Sequence, residues 1–114
     1  MKIPNKYEIL IIEQDDESRF NRGKLINIGA KIGFLHLKKA CETKQAENNY
    51  CVISHDIDML PLNDTLDYTC EKSPKLFATA AEQFNYTMPY QQYFGGVVAV
   101  KWNDLVKING LPNR

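Results

Sequence analysis

The sequence predicts an α/β fold with a mostly parallel sheet flanked by helices. Three observations lead there. Residues 7–14 (YEILIIEQ) are a short, Ile-rich apolar run bounded by polar residues, the pattern of a buried strand. A long segment with helical spacing follows. A second apolar run, residues 50–54 (YCVIS), comes next. Strand, helix, strand with a crossover of this length is a βαβ unit, whose strands run parallel with a right-handed connection.

The elements follow in order. Residues 15–18 (DDES) form a turn and a helix entry. From Asn21 to about Lys39, Leu25, Ile28, Ile32 and Leu35 recur at three- and four-residue steps, with Lys24, Asn27, Lys31 and Lys38 on other faces. Gly29 and Gly33 lie inside this helix. Each costs about 1 kcal/mol against alanine, so both point to a closely packed neighbour. The polar residues 41–49 form a short helix or a loop. Residues 60–74 are rich in turn formers and read as a surface loop. Residues 75–81 are a candidate strand, 84–94 an aromatic-rich loop, and 95–101 a further strand. A short helix over 102–110 completes the order, with Asn109-Gly110 suited to its C-terminal cap. There is no internal repeat.

With 114 residues the chain has room for one small domain. Its 44% hydrophobic and 25% charged content is ordinary for a globular protein. A formal net charge of zero supplies no basic field for nucleic acid or anionic lipid, so no nucleic-acid partner is expected. No apolar run approaches the ~20 residues of a membrane span. The first residues make a poor signal peptide, because their apolar stretch is short and flanked by Glu8 and Glu13. Of the three cysteines, Cys41, Cys51 and Cys70, none forms a CxxC pair, which argues against a zinc ribbon. Three free buried thiols are compatible with the count.

Open α/β sheets bind ligands beyond the carboxyl ends of their strands. Asp56 and Asp58 stand there, after residues 50–54. On an extended backbone two residues separated by one point the same way, so the carboxylates converge. That pattern suits a hard divalent cation, Mg²⁺ or Mn²⁺, whose other ligands come from a diphosphate. A solvated turn with two incidental acids gives the same pattern. His55 is either a ligand or a packed, hydrogen-bonded histidine. Arg19 and Arg22, at the start of the first helix, suit an anion or are ordinary surface charge. Residues 89–96 (PYQQYFGG) set aromatics before the glycines Gly95 and Gly96. Aromatic faces and close backbone approach suit a sugar, and core packing explains the aromatics equally well.

The ordered segments RFNRGKLINIG, HDIDMLP, PYQQYFGG and INGLPNR resemble the β-1,4-galactosyltransferase family. Its members share FNRAKL-like, DVD-plus-Leu-Pro, YFGG and NGxxN segments in this order. The resemblance covers residues 7–114. It implies a GT-A-type nucleotide-sugar fold, Mn²⁺ as cofactor, and inverting transfer of galactose from UDP-galactose to a glycan acceptor on a glycoprotein, proteoglycan or glycolipid. By position, Phe20, Asn21 and Arg22 match the donor-contacting FNR, and Asp56, Ile57 and Asp58 match DVD. Asp58 is then the metal ligand, with Ile57 and Asp58 against the nucleotide sugar. Tyr93 matches the tyrosine beside the donor sugar that favours galactose over N-acetylgalactosamine, and Gly96 belongs to the same donor-side segment. The animal branch has a disulfide beside its DVD loop, and Cys51 and Cys70 occupy the matching places. Such a bridge implies an oxidising compartment, here the Golgi lumen, with a membrane anchor expected in the full-length type II protein. The sequons beginning at Asn63 and Asn85 are compatible with that route.

Family members continue past NGxxN into a WGWG-E-D-D run carrying the acceptor contacts and the catalytic base, with a later metal-binding histidine. They also have an upstream FRxR-like uridine segment. The expectation is therefore that residues 1–114 are the central part of a catalytic domain, inactive alone, with the base beyond Arg114 and no catalytic residue assigned within the chain. Glu13-Gln14 and residues 60–68 resemble the xylosylprotein galactosyltransferase branch. Residues 88–96 and the cysteine pair lean to the branch acting on N-acetylglucosamine. Two other readings stay open: a family member using UDP-N-acetylgalactosamine, and a non-catalytic nucleotide-sugar or carbohydrate-binding module.

Overall fold

The computed structural model describes residues 6–40, 49–61, 65–77 and 96–112. Helix α1 spans Arg22–Ala40. Asn21 starts it as an N-cap: its Oδ1 accepts the Lys24 amide at 3.0 Å and its carbonyl accepts the Leu25 amide at 3.1 Å. The Asn21 amide donates to Gln14 Oε1 at 3.0 Å. The Gln14 side-chain amide in turn donates to Asp16 Oδ1 at 2.8 Å and to the Ser18 carbonyl at 3.0 Å. Residues 14–21 are thus tied into one polar loop. Hydrogen bonds from the Ser18 amide first, and from Gln14 second, hold the Asp16 carboxyl below its ordinary pKa. Lys38 and Lys39 in the last turn complement the helix dipole.

The packed face of α1 differs from the stripe its spacing suggests. Ala30 and Gly33 are buried, whereas Ile28 and Leu35 are exposed. The helix is apolar on more than one side, so periodicity alone does not choose between them. Small residues choose, because they let neighbours approach. A Cβ on Gly29 would lie 2.9 Å from Ile12 Cγ1, and one on Gly33 would lie 2.5 Å from the Tyr50 hydroxyl and 3.4 Å from Leu10 Cδ1. Both glycines thus have the close neighbour their sequence position implies.

Residues 7–14 lie along this groove in extended form, but they are not a strand: no sheet ladder includes them. Ile12 meets Gly29, Leu10 meets Gly33, and Glu8 Oε1 lies 2.8 Å from His36 Nδ1. Two extended residues advance about 6.6 Å and four helical ones about 6 Å, so alternate side chains keep step with successive helical turns. The other alternate set faces out, with Ile11 90% exposed. The run is therefore half-buried, where its composition suggests full burial.

Among the described residues three strands form a sheet: β1 (Cys51–His55), β2 (Lys75–Leu76) and β3 (Val97–Lys101), in the order β1-β3-β2. Both pairings are antiparallel, with His55 opposite Val97 and Cys51 opposite Lys101. The expected parallel βαβ sheet is not found among the described residues. Side-chain alternation over 7–14 reports which way residues point, and a helical groove satisfies it as well as a sheet does. Central β3 carries the core residue Ala99, 0% exposed. The candidate strand over 75–81 is paired only at Lys75–Leu76 in the described part. Cys51 and Cys70 form a disulfide with Cα atoms 5.7 Å apart, fastening residues 65–77 to β1.

Helix α2 (Trp102–Lys107) follows β3 directly. Ser73 Oγ accepts the Lys101 amide and donates to Asp104 Oδ2, both at 2.8 Å, bridging the helix start. The end is the cap the Asn-Gly pair suggests. Asn109 and Gly110 take φ of 62° and 77°, and the Gly110 amide donates to the Leu105 carbonyl at 2.9 Å, a Schellman closure. The Asn27 amide holds this cap, donating to the Leu111 carbonyl and accepting its N–H, each at 2.8 Å.

Phe34, Tyr50 and Trp102 join α1 to β1 and α2. Phe34 and Trp102 stack with centroids 4.5 Å apart, and Tyr50 lies 5.8 Å from each. The Tyr50 hydroxyl donates to the Ala30 carbonyl at 3.0 Å. Burial, with a smaller contribution from the Glu8 carboxylate, raises its pKa above the usual phenol value. Among the described residues no helix is long and apolar enough to cross a membrane. Cys41, Tyr93, Gly95, Asn63 and Asn85 lie outside the described residues, as do the short helix or loop over 41–48 and the aromatic loop over 84–94.

Candidate functional site

At the end of β1 the chain reverses. The Asp56 amide donates to the Gly96 carbonyl at 2.9 Å, one step beyond the His55–Val97 pair. The Asp56 carbonyl accepts the Met59 amide at 3.2 Å. Residues 56–59 therefore form a β-turn with Ile57 and Asp58 at its corner. This corrects the extended-backbone geometry inferred for the two carboxylates: the backbone turns between them. Asp56 is half-buried and faces Arg22, whose Nη2 lies 2.6 Å from its Oδ1. Asp58 is exposed, and Ile57 is 98% exposed.

The Arg22–Asp56 pair joins two motif segments that are 34 positions apart in sequence. Both side chains reach solvent, so the pair contributes at most about 1 kcal/mol to stability. Its consequence is positional: it sets the first residue of α1 against the turn. Gly96 is buried with φ of 73°, in the left-handed region that favours glycine, and presents its carbonyl to Asp56. Arg22, Asp56 and Gly96 are thus brought together. Asn21 is the N-cap of α1, beside Arg22. Phe20 is 73% exposed, one residue before the cap.

His55 has hydrogen-bonding neighbours on both nitrogens. Nδ1 lies 2.8 Å from the Asp56 carbonyl and Nε2 lies 3.4 Å from the Tyr68 hydroxyl. These contacts are of the kind the hydrogen-bonded alternative for this histidine requires. Tyr68 stacks on Phe77 at 5.1 Å, and the Lys75 ammonium sits 4.7 Å above the Phe77 ring. Sequence reasoning assigned residues 60–74 to a plain surface loop and missed Tyr68. The Cys51–Cys70 match was the available signal, since it returns residue 68 to the sheet.

The donor chemistry around the turn is hard oxygen. Among the described residues no three His, Cys, Asp or Glu side chains gather where they could hold a metal ion. Asp58, an exposed carboxylate at a turn corner, fits a cation that takes its remaining ligands from elsewhere, diphosphate oxygens included. A concavity between α1 and α2 is lined by Asn27, Lys31, Trp102, Leu105, Val106, Asn109 and Gly110. It carries no carboxylate, and the Asn27 amide is already committed to Leu111.

Comparison with known proteins addresses the same segments. The N-terminal region of glycosyl transferase group 7 matches residues 2–71, and the N-terminal domain of galactosyltransferase matches residues 75–114. Similar proteins include Beta-1,4-galactosyltransferase 1 of Bos taurus, 37% identical over 108 residues, covering 95% of this chain and 24% of that protein. Beta-1,4-galactosyltransferase 3 of Homo sapiens is 39% identical over 109 residues, covering 95% and 25%. Beta-1,4-galactosyltransferase 2 of Cricetulus griseus is 38% identical over 109 residues, covering 96% and 27%. The chain thus spans about a quarter of the length of the curated relatives it matches. No solved structure matches it.

Proposed function

Because the chain belongs to the β-1,4-galactosyltransferase family, we propose that it is the donor-side part of a catalytic domain that transfers galactose from UDP-galactose to a glycan acceptor. The observation that carries this reading is the 2.6 Å contact between Arg22 and Asp56. It draws together the two segments that the family resemblance gives to the donor, from opposite sides of α1.

In this reading Asp58 holds Mn²⁺ together with ligands from the nucleotide, and the cation would supply charge neutralisation to the departing UDP. Arg22 orients Asp56 and adds positive charge beside the donor. Gly96, buried with its carbonyl on the Asp56 amide, holds the start of the turn in place. Phe20 and Ile57, both exposed apolar side chains, offer faces to the nucleotide sugar. Tyr93 lines the sugar, and residues 1–114 form the central portion of the domain. No residue of the chain is assigned as the general base. The Cys51–Cys70 bridge supports an oxidising compartment, and the family supports the Golgi lumen.

The test is Asp58→Ala with titration calorimetry. Mn²⁺-dependent UDP-galactose binding is expected to disappear, with metal-independent folding retained. Unchanged affinity in the presence of Mn²⁺ would remove Asp58 from the metal.

A further inference from the structure

We propose that His55 is a positioning residue for the Asp58 turn, acting through the Asp56 carbonyl and braced by Tyr68; the inference rests on the metal-binding reading of Asp58. The turn is closed by the Met59 amide at 3.2 Å, at the long end for such a bond. Its two corner residues are exposed, so side-chain packing does little to fix it. The same carbonyl receives the His55 ring at 2.8 Å.

The proton on Nδ1 follows from its partner. A carbonyl only accepts, so Nδ1 carries the hydrogen. Nε2 faces the Tyr68 hydroxyl at 3.4 Å, a group that can donate or accept. Tyr68 is itself held, by its stack on Phe77 and by the Cys70 bridge two residues on. A continuous bracket therefore runs from Cys51, at the start of β1, through Cys70, Tyr68 and His55 to the carbonyl at its far end. With Nδ1 committed to the carbonyl at 2.8 Å, His55 supports the turn through its backbone. The effect of such a support is to reduce the conformations from which Asp58 must be collected when the cation binds.

Mn²⁺ affinity in the presence of UDP, read from the paramagnetic resonance signal of free Mn²⁺, tests this in the chain. His55→Phe keeps the flat ring and removes both nitrogens. It is expected to weaken binding about five-fold, the worth of one net hydrogen bond. His55→Asn keeps a side-chain N–H near the place of Nδ1 and is expected to stay within about two-fold of the parent, since it retains that bond. Solvent exchange of the Met59 amide gives a second, metal-free readout: faster in His55→Phe and restored in His55→Asn. Asp58→Ala separates the two ideas. If it abolishes binding while His55→Phe binds like the parent, the positioning role is overturned and the metal reading stands. If His55→Asn is as weak as His55→Phe, the donor role is likewise overturned. If Asp58→Ala binds like the parent, the metal reading falls and the inference with it.

Discussion

The two ends of β1 are held by different physics. At its start, Tyr50 sits among Phe34, Trp102 and Gly33, and its hydroxyl is bonded to a helix carbonyl. At its other end, five residues on, the chain opens into a turn whose corner is exposed and whose shape depends on backbone hydrogen bonds, one histidine and one surface ion pair. Packing fixes the first end and directional polar contacts fix the second. A turn of this kind gains accessibility and gives up the stabilisation that burial provides.

The disulfide ties the first end, at Cys51, to the segment whose Tyr68 meets His55 at the other, so breaking it has the largest expected effect. Cys70→Ser releases a crosslink with a sequence separation of 19, which the chain-entropy model values at about 3 kcal/mol. A denaturant midpoint lowered to match, with the Met59 amide losing protection as well, is the expected outcome.

Gly33→Ala probes the packed end. Alanine gains about 1 kcal/mol of helix propensity, yet its Cβ would meet the Tyr50 hydroxyl at 2.5 Å. Overpacking of this kind costs about 1–3 kcal/mol, so net destabilisation is expected. Adding Tyr50→Phe should recover part of it. A stabilised Gly33→Ala chain would mean that Tyr50 moves aside freely.

The same contrast explains what the sequence disclosed. Helix α1, the Asn109-Gly110 cap and the need for close neighbours at Gly29 and Gly33 were legible, because spacing and special backbone conformations leave marks on residue type. The choice of Ala30 and Gly33 over Ile28 and Leu35 as the packed face was not. Several apolar stripes share one helix, and only the partner selects among them. The antiparallel pairing of β1 with β3 was hidden for a related reason: the Ile-rich run at residues 7–14, which suggested a parallel partner strand, packs along a helix instead. In the proposed site, Asp56, Asp58, Arg22 and Gly96 were singled out by motif, and the structure brings Arg22, Asp56 and Gly96 together. The Arg22–Asp56 contact, the turn between the carboxylates and the bracing by Tyr68 were not, since each depends on tertiary approach.

Arg22→Ala has the smallest expected effect on stability and sharpens the comparison most. Loss of a solvent-exposed ion pair should change unfolding free energy by less than about 1 kcal/mol, while nucleotide-sugar affinity falls clearly. A large stability loss would place the open end of β1 under packing control after all.

The most direct test is to locate the metal. Mn²⁺ added with UDP to the isotopically labelled chain broadens the amide signals nearest the ion. Selective loss of signals from residues 20–22, 56–59 and 96, with those of Phe34, Trp102 and the Asn27–Leu111 contact kept, is the predicted result. Broadening centred on the groove between α1 and α2, or spread evenly over the chain, would contradict it.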